Sequence, residues 1–208
     1  MLTSHTLSQF LDELASNSPA PGGGSVAALA GALGSALTSM VCNLTIGKKK
    51  YAGVQDEMQS VLAHSEKLRR DLTEMIDQDT EAFNSVMAAF GMPKNTEEEQ
   101  LQRTSAIQEA TQRATLVPLK VMELCESALI LTKVVAEKGN KNSASDAGVA
   151  ALMLQAACAG AGLNVRINLA ALNDEVFVRG TIEKMKVISG KVEQLAAETL
   201  MLVNKAIG

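Results

Sequence analysis

From Leu14 to Gly47 the chain carries no charged residue, and the stretch SPAPGGGSVAALAGALGSALTSMVCNLTIGKKKY then ends on three consecutive lysines, Lys48, Lys49 and Lys50. A helix starting near Gly23 would be apolar on every side. Such a helix either spans a bilayer or stands at the centre of a large helical core. This one is made of Gly, Ala and Ser more than of Leu, Ile and Phe. The second apolar stretch, Ala147–Leu172, is similar and holds Asn164, Arg166 and Asn168. Neither has an aromatic belt, so both are expected to be core helices and not membrane spans. Small residues at Gly24, Ala27, Ala28, Gly31, Ala32 and Gly34 let neighbouring helices come very close. Two such helices in 208 residues leave apolar surface over, which predicts a homodimer with a core-like interface.

Strand signals are nearly absent and helical periodicity dominates. Helices are expected over about Thr3–Ser16, Gly23–Gly47, Gly53–Phe90, Thr96–Lys138, Asp146–Leu172 and Asp174–Ala206. Thr96 with Glu99 reads as a capping box. Pro118 should kink or split the fourth helix, and Gly160 with Gly162 should loosen the fifth. No repeat or linker divides the chain, so residues 1–208 are expected to form one domain. The fold class is all-α: a multi-helical, homodimeric bundle with the Ala/Gly-rich second helix enclosed on all sides.

A net charge of -4 and an aromatic content of 2 % argue against a nucleic-acid partner, which needs basic surface and stacking rings. Cys42, Cys125 and Cys158 are far apart, with no CxxC and no Cys/His pairing. They read as buried free thiols of a cytoplasmic protein, not as metal ligands. The opening MLTSHTLSQFLDEL lacks the basic-then-apolar order of a signal peptide.

Several residues could carry chemistry. Leu68, Leu72, Met75, Ile76, Phe83, Val86, Met87 and Phe90 form an apolar stripe, and Asp79 falls on it. A carboxylate there must be paired, hydrogen-bonded or protonated. It is either a buried ion pair or helix cap, or a proton carrier facing a cleft. Arg166 is a candidate partner. Asp77 lies about 200° around the helix from Asp79 and should tolerate amidation better. Gly22, Gly23, Gly24 and Ser25 open a helix whose free N–H groups could hold an anion. Lys48 and Lys49 are either a helix C-terminal cap or an anion site. Asn164 and Asn168 are i,i+4 neighbours able to serve one ligand. Asp146 is about 27 Å from Asn164 along the same helix. Lys94 stands on a tight loop before a helix start. These residues give buried polar spots in a helical dimer; they do not give a reaction.

The segments PAPGGGSVAALAGALGSALTSMV, LTIGKKKY, DQDTEAF, PKNT, VPLK, SDAGVAA and NVRINL resemble the cyclodeaminase domain of formiminotransferase-cyclodeaminase. That family includes stand-alone methenyltetrahydrofolate cyclohydrolases. The resemblance spans nearly the whole chain and implies an all-helical dimer acting on a tetrahydrofolate substrate without metal or redox cofactor. It implies a methenyltetrahydrofolate cyclohydrolase, with formiminotetrahydrofolate cyclodeaminase, or a catalytically silent folate-binding or assembly protein, as alternatives. It further implies Asp79 and Lys94 as catalytic residues. Gly22, Gly23, Gly24, Ser25, Lys48, Lys49, Asp146, Asn164 and Asn168 would contact substrate, the glycine-rich helix start taking a carboxylate of the folate glutamate.

Overall fold

A computed structural model describes residues 1–208 as helices and their connections, with no strand. The helices are α1 (Leu7–Leu14), α2 (Gly23–Asn43), α3 (Gln55–Phe90), α4 (Glu97–Lys138), α5 (Ala144–Leu169) and α6 (Glu175–Ile207). α2 lies between α3 and α5 and also touches α4, while α6 closes the other side against α4 and α5. The first expected helix divides in two. Thr6 and Gln9 form a capping box that starts α1 afresh after a 3₁₀ turn at Leu2–Ser4. α2 ends at Asn43, short of Gly47, because its last carbonyls turn to the α4–α5 connection. Asn140 donates through its side chain to the Leu44 carbonyl and through its N–H to the Thr45 hydroxyl, both at 2.9 Å. Gly47 then adopts φ 79°, which favours glycine.

α2 packs at the centre of the bundle as expected, and in the single chain one of its sides stays open. Val26, Leu33 and Met40, spaced seven apart, are 38 %, 48 % and 37 % exposed. Its other faces hold Ala28, Gly31, Ser35, Thr38 and Cys42 against neighbouring helices. Polar atoms there are paired: Thr38 meets Thr132 at 2.8 Å and Ser39 meets Ser65 at 2.8 Å. Cys42, Cys125 and Cys158 are free and buried, and burial pushes the Cys42 thiol up to about 11.

Pro118 neither splits α4 nor ends it. A proline removes one N–H and strands the carbonyl four residues earlier, here that of Ala114. Asn168 of α5 donates its side-chain amide to that carbonyl at 3.0 Å. The orphaned acceptor is thereby satisfied and the helix runs on through Pro118, which is buried. α5 also runs unbroken through Gly160 and Gly162, where helices approach closely. A Cβ on Gly160 would lie 3.6 Å from that of Ala27.

In the middle of α2 the fit is tight at Gly34. A Cβ there would lie 2.7 Å from Leu154 Cγ and 3.0 Å from the Ala150 carbonyl oxygen. Gly34→Ala is expected to force α2 and α5 apart and cost about 1–3 kcal/mol, read as a lower denaturant midpoint with the helical circular dichroism retained. Gly53→Ala, with no atom within 4 Å of its Cβ, is the surface comparison.

Candidate active site

The two ends of α2 are chemically different. Because α5 runs antiparallel to α2, Asn164 lies beside Gly23 and Asn140 lies beside Leu44. The N-terminal end, with Asp79, Ser25 and Asn164, is one pole. The C-terminal end, with Lys48–Lys50, Tyr51 and Asn140, is the other, about 30 Å away along the helix.

At the first pole Asp79 of α3 reaches the first turn of α2. Ser25 is fully buried and its hydroxyl donates to Asp79 Oδ2 at 2.9 Å, with Thr80 Oγ1 at 3.3 Å. Gly24 leaves the room for this: a Cβ there would fall on the carboxylate, 2.7 Å from Oδ2. On the other flank a Cβ on Gly23 would stand 3.4 Å from the Asn164 amide nitrogen. So Gly23 and Gly24 are glycines because side chains of α5 and α3 come right up to the start of α2. The apolar stripe of α3 leaves the core just beyond Asp79, Met87 and Phe90 being about half exposed. Asp79 therefore stands half-buried at the core edge, where a ligand can reach it.

Asp79 makes no ion pair. Arg166, its expected partner, is exposed and lines a separate groove of about 670 Å³ between α5 and α6. Burial raises the Asp79 pKa above the ordinary carboxylate range, although hydrogen bonds from Ser25 pull it down. The direction matters. A carboxylate whose only task was to cap α2 would be held low by the helix N–H groups and dipole. Here desolvation wins, and the charge is kept at a cost. The same geometry corrects the role expected for the glycine run. The carboxylate seated at the start of α2 is that of Asp79 itself, so Gly24 and Ser25 position Asp79, while Gly23 faces Asn164 and Gly22 meets only the Pro19 carbonyl.

Other candidates are dispersed. Lys94 is exposed on the loop after α3, and α3 carries on for about 17 Å beyond Asp79. Asn164 donates to the Gly160 carbonyl at 2.9 Å and remains beside the pole, whereas Asn168 is committed to Ala114 of α4. Asp146 in the first turn of α5 belongs with Lys48 and Lys49 at the opposite pole. Asp77 is not a neutral control. It is buried, and it accepts the Leu2 N–H at 2.5 Å and the Thr3 hydroxyl at 2.6 Å, pinning the N-terminal segment to α3. The Ser25–Asp79 contact, unseen in the sequence reading, had one signal: the only hydroxyl in the first turn of a glycine-opened helix.

A sequence profile of formiminotransferase-cyclodeaminase matches residues 6–187. The chain belongs to this family. It is 50 % identical over 197 residues to the methenyltetrahydrofolate cyclohydrolase of Methylorubrum extorquens, covering 95 % of this chain and 93 % of that protein. It is 36 % identical over 195 residues to the formimidoyltransferase-cyclodeaminase of Rattus norvegicus, covering 94 % of this chain but 36 % of that protein. The formiminotetrahydrofolate cyclodeaminase of Thermotoga maritima superposes with a TM-score of 0.90 at 31 % identity, each chain covered in full.

The raised Asp79 pKa fixes the sign of a stability effect. The native state holds the Asp79 proton more tightly than the unfolded chain, so this group destabilises the fold above its folded pKa and is neutral below its unfolded pKa. Asp79→Asn is expected to raise the melting temperature at neutral pH, and the gain should vanish as pH falls below the ordinary carboxylate range. A variant that melts lower at neutral pH would mark the carboxylate as a structural cap.

Proposed function

We propose that the chain is a methenyltetrahydrofolate cyclohydrolase, converting 5,10-methenyltetrahydrofolate and water to 10-formyltetrahydrofolate. The observation that carries this reading is the 50 % identity, over nearly the full length of both chains, to a relative bearing that name. The site suits the chemistry. The substrate carries a delocalised cation on the carbon between N5 and N10, and Asp79 is a carboxylate without a cationic partner at the edge of the core. Its charge stabilises the amidinium, and its basicity takes a proton from the attacking water. The tetrahedral adduct then loses its bond to N5. Of the water's two protons, one ends on N5, returned by Asp79, and one is released. No electrons change hands, so the reaction calls for no redox cofactor, and the charge stabilisation asked of a metal falls to the carboxylate. Ser25 holds Asp79 Oδ2, and Asn164 offers an amide carbonyl at the same pole.

Formiminotetrahydrofolate cyclodeaminase is the second reading, favoured by the full-length likeness to the Thermotoga maritima enzyme. There N10 attacks the formimino carbon and ammonia leaves, through a similar tetrahedral carbon. A cytoplasmic homodimer is part of the proposal, supported by the three free thiols and by the exposed apolar side of α2.

The test is spectroscopic. Incubation with 5,10-methenyltetrahydrofolate should abolish its near-ultraviolet band faster than buffer does, and the formimino substrate should not generate that band. The reverse pair of results selects the cyclodeaminase, and neither result overturns both. Asp79→Asn should lower kcat by roughly 10²-fold or more, the scale of a general acid–base group, with the helical content unchanged. Lys94→Met tests the lysine that the fold leaves far from Asp79: a loss confined to KM would assign it to binding.

A further inference from the structure

We propose that the Ser25 and Thr80 hydroxyls are a proton exit from Asp79, passing the proton that each turnover releases into a hollow between α3 and the N-terminal segment. The inference rests on the cyclohydrolase reading of the site.

That reading leaves Asp79 with a proton to shed. Asp79 takes the first proton from the attacking water and returns it to N5. It takes the second from the hydroxyl of the adduct, as the formyl carbonyl forms and the electrons of the carbon–N5 bond stay on N5. The carboxyl is then neutral, and the next cycle needs it ionised. Burial raises its pKa, so this proton is held more tightly than on an ordinary carboxylate. A folate bound at the open side of Asp79 also bars water from it.

Two hydroxyls lead away on another side. Ser25 is fully buried, and its hydroxyl lies between Asp79 Oδ2 at 2.9 Å and Thr80 Oγ1 at 3.3 Å. Thr73 and Ser85 of α3 bond back to the carbonyls of Arg69 and Glu81, four residues earlier. Thr80, between them on the same helix, does not; its hydroxyl meets Ser25 alone. Thr80 is half-buried. It lies about 100° around α3 from Asp79 and about 60° from Asp77, so it stands between the two sides of the helix.

Beyond Thr80 is a hollow of about 280 Å³. Asp79 does not line it; His5, Glu13, Asp77, Thr80 and Glu81 do. Asp77 holds the N-terminal segment in place as its other wall, through the Leu2 N–H and the Thr3 hydroxyl. His5, at 3.3 Å from Glu13, and Glu81 are exposed, so the hollow opens to water. Its carboxylates attract a proton arriving from the interior.

The transfer balances. Protonated Asp79 donates to Ser25 Oγ, the Ser25 proton passes to Thr80 Oγ1, and the Thr80 proton passes to water in the hollow. Each hydroxyl gains one proton and loses one, because a hydroxyl both donates and accepts. Asp79 alone changes charge. The chain finishes with Ser25 donating to Asp79 Oδ2, which is the hydrogen bond of the resting site.

Thr80→Val keeps the branched shape and removes the hydroxyl. With enzyme in excess over 5,10-methenyltetrahydrofolate, a single turnover needs no reset, and the variant should match wild type. With substrate in excess it should release one product per site in a burst, then slow to a steady rate about tenfold or more below wild type. Imidazole at constant pH and ionic strength should raise that steady rate, after subtraction of the reaction without enzyme, because a diffusing base takes the proton from Asp79 once product leaves. Wild type should show no such dependence, and Thr80→Ser should behave as wild type. Equal losses in the single-turnover and steady rates would make Thr80 a structural prop for Ser25, and an unchanged steady rate would leave it idle; either overturns the proposal. If Thr80→Val does not fold, Thr80→Ala enters the same two assays, and a wild-type rate that rises with imidazole overturns the proposal without any variant. Wild type inactive on the methenyl substrate overturns the cyclohydrolase reading and the relay with it; active wild type with an unaltered Thr80→Val overturns the relay alone.

Discussion

The absence of side-chain volume on α2 is the constraint on which the rest of the molecule depends. Where α2 offers only hydrogens or methyls, α3 and α5 settle against its backbone, and the polar groups they carry are brought within reach of it. Leu154 occupies the space a Cβ would need at Gly34, and the Asp79 carboxylate occupies it at Gly24. One physical device thus serves both stability and the site. In the middle of the helix it gives dense apolar contact. At the first turn it gives a carboxylate a place at the edge of the core.

Buried polarity in this fold is paired throughout: hydroxyls such as Ser35 and Thr115 bond back to their own helix, and the larger groups are answered from another segment. No buried side-chain nitrogen or oxygen lacks a hydrogen bond. The Ala114 carbonyl, stranded by Pro118, is answered by Asn168 from α5, and α4 runs on through the proline as one helix. Asp77 is answered by the N-terminal segment. Asp79 differs. It has the Ser25 hydroxyl but no cation, and burial outweighs the hydrogen bonds in setting its pKa. A group left in that condition is poised to exchange a proton or to receive a cation, and the amidinium of a methenyl folate is such a cation.

Charge is sorted along the same axis. The Asp79 carboxylate stands at the start of α2 and three lysines follow its end, with some 30 Å of uncharged helix between them. Within one chain these poles cannot act on one small molecule.

How much of this was legible in the sequence depends on whether a property is local. Periodicity, caps and the absence of strand patterns fix the helices, so the all-α class and most boundaries are readable directly. The charge-free Gly/Ala run declares a helix pressed by its neighbours, and Asp79 betrays itself because it interrupts an apolar stripe whose spacing is a property of α3 alone. What the sequence could not reveal is which residues from distant segments share a space. Asn164 and Asn168 look equivalent at i,i+4, yet a rotation of about 40° around α5 turns one toward Gly23 and the other toward the Ala114 carbonyl. Arg166, a natural partner for Asp79 on paper, faces the α5–α6 groove. Asp77 and Asp79, two residues apart, point to opposite sides of α3, one to the N-terminal segment and one to α2. These assignments rest on how helices cross and rotate against one another, which is set by the summed fit of many side chains and by no single stretch of the chain.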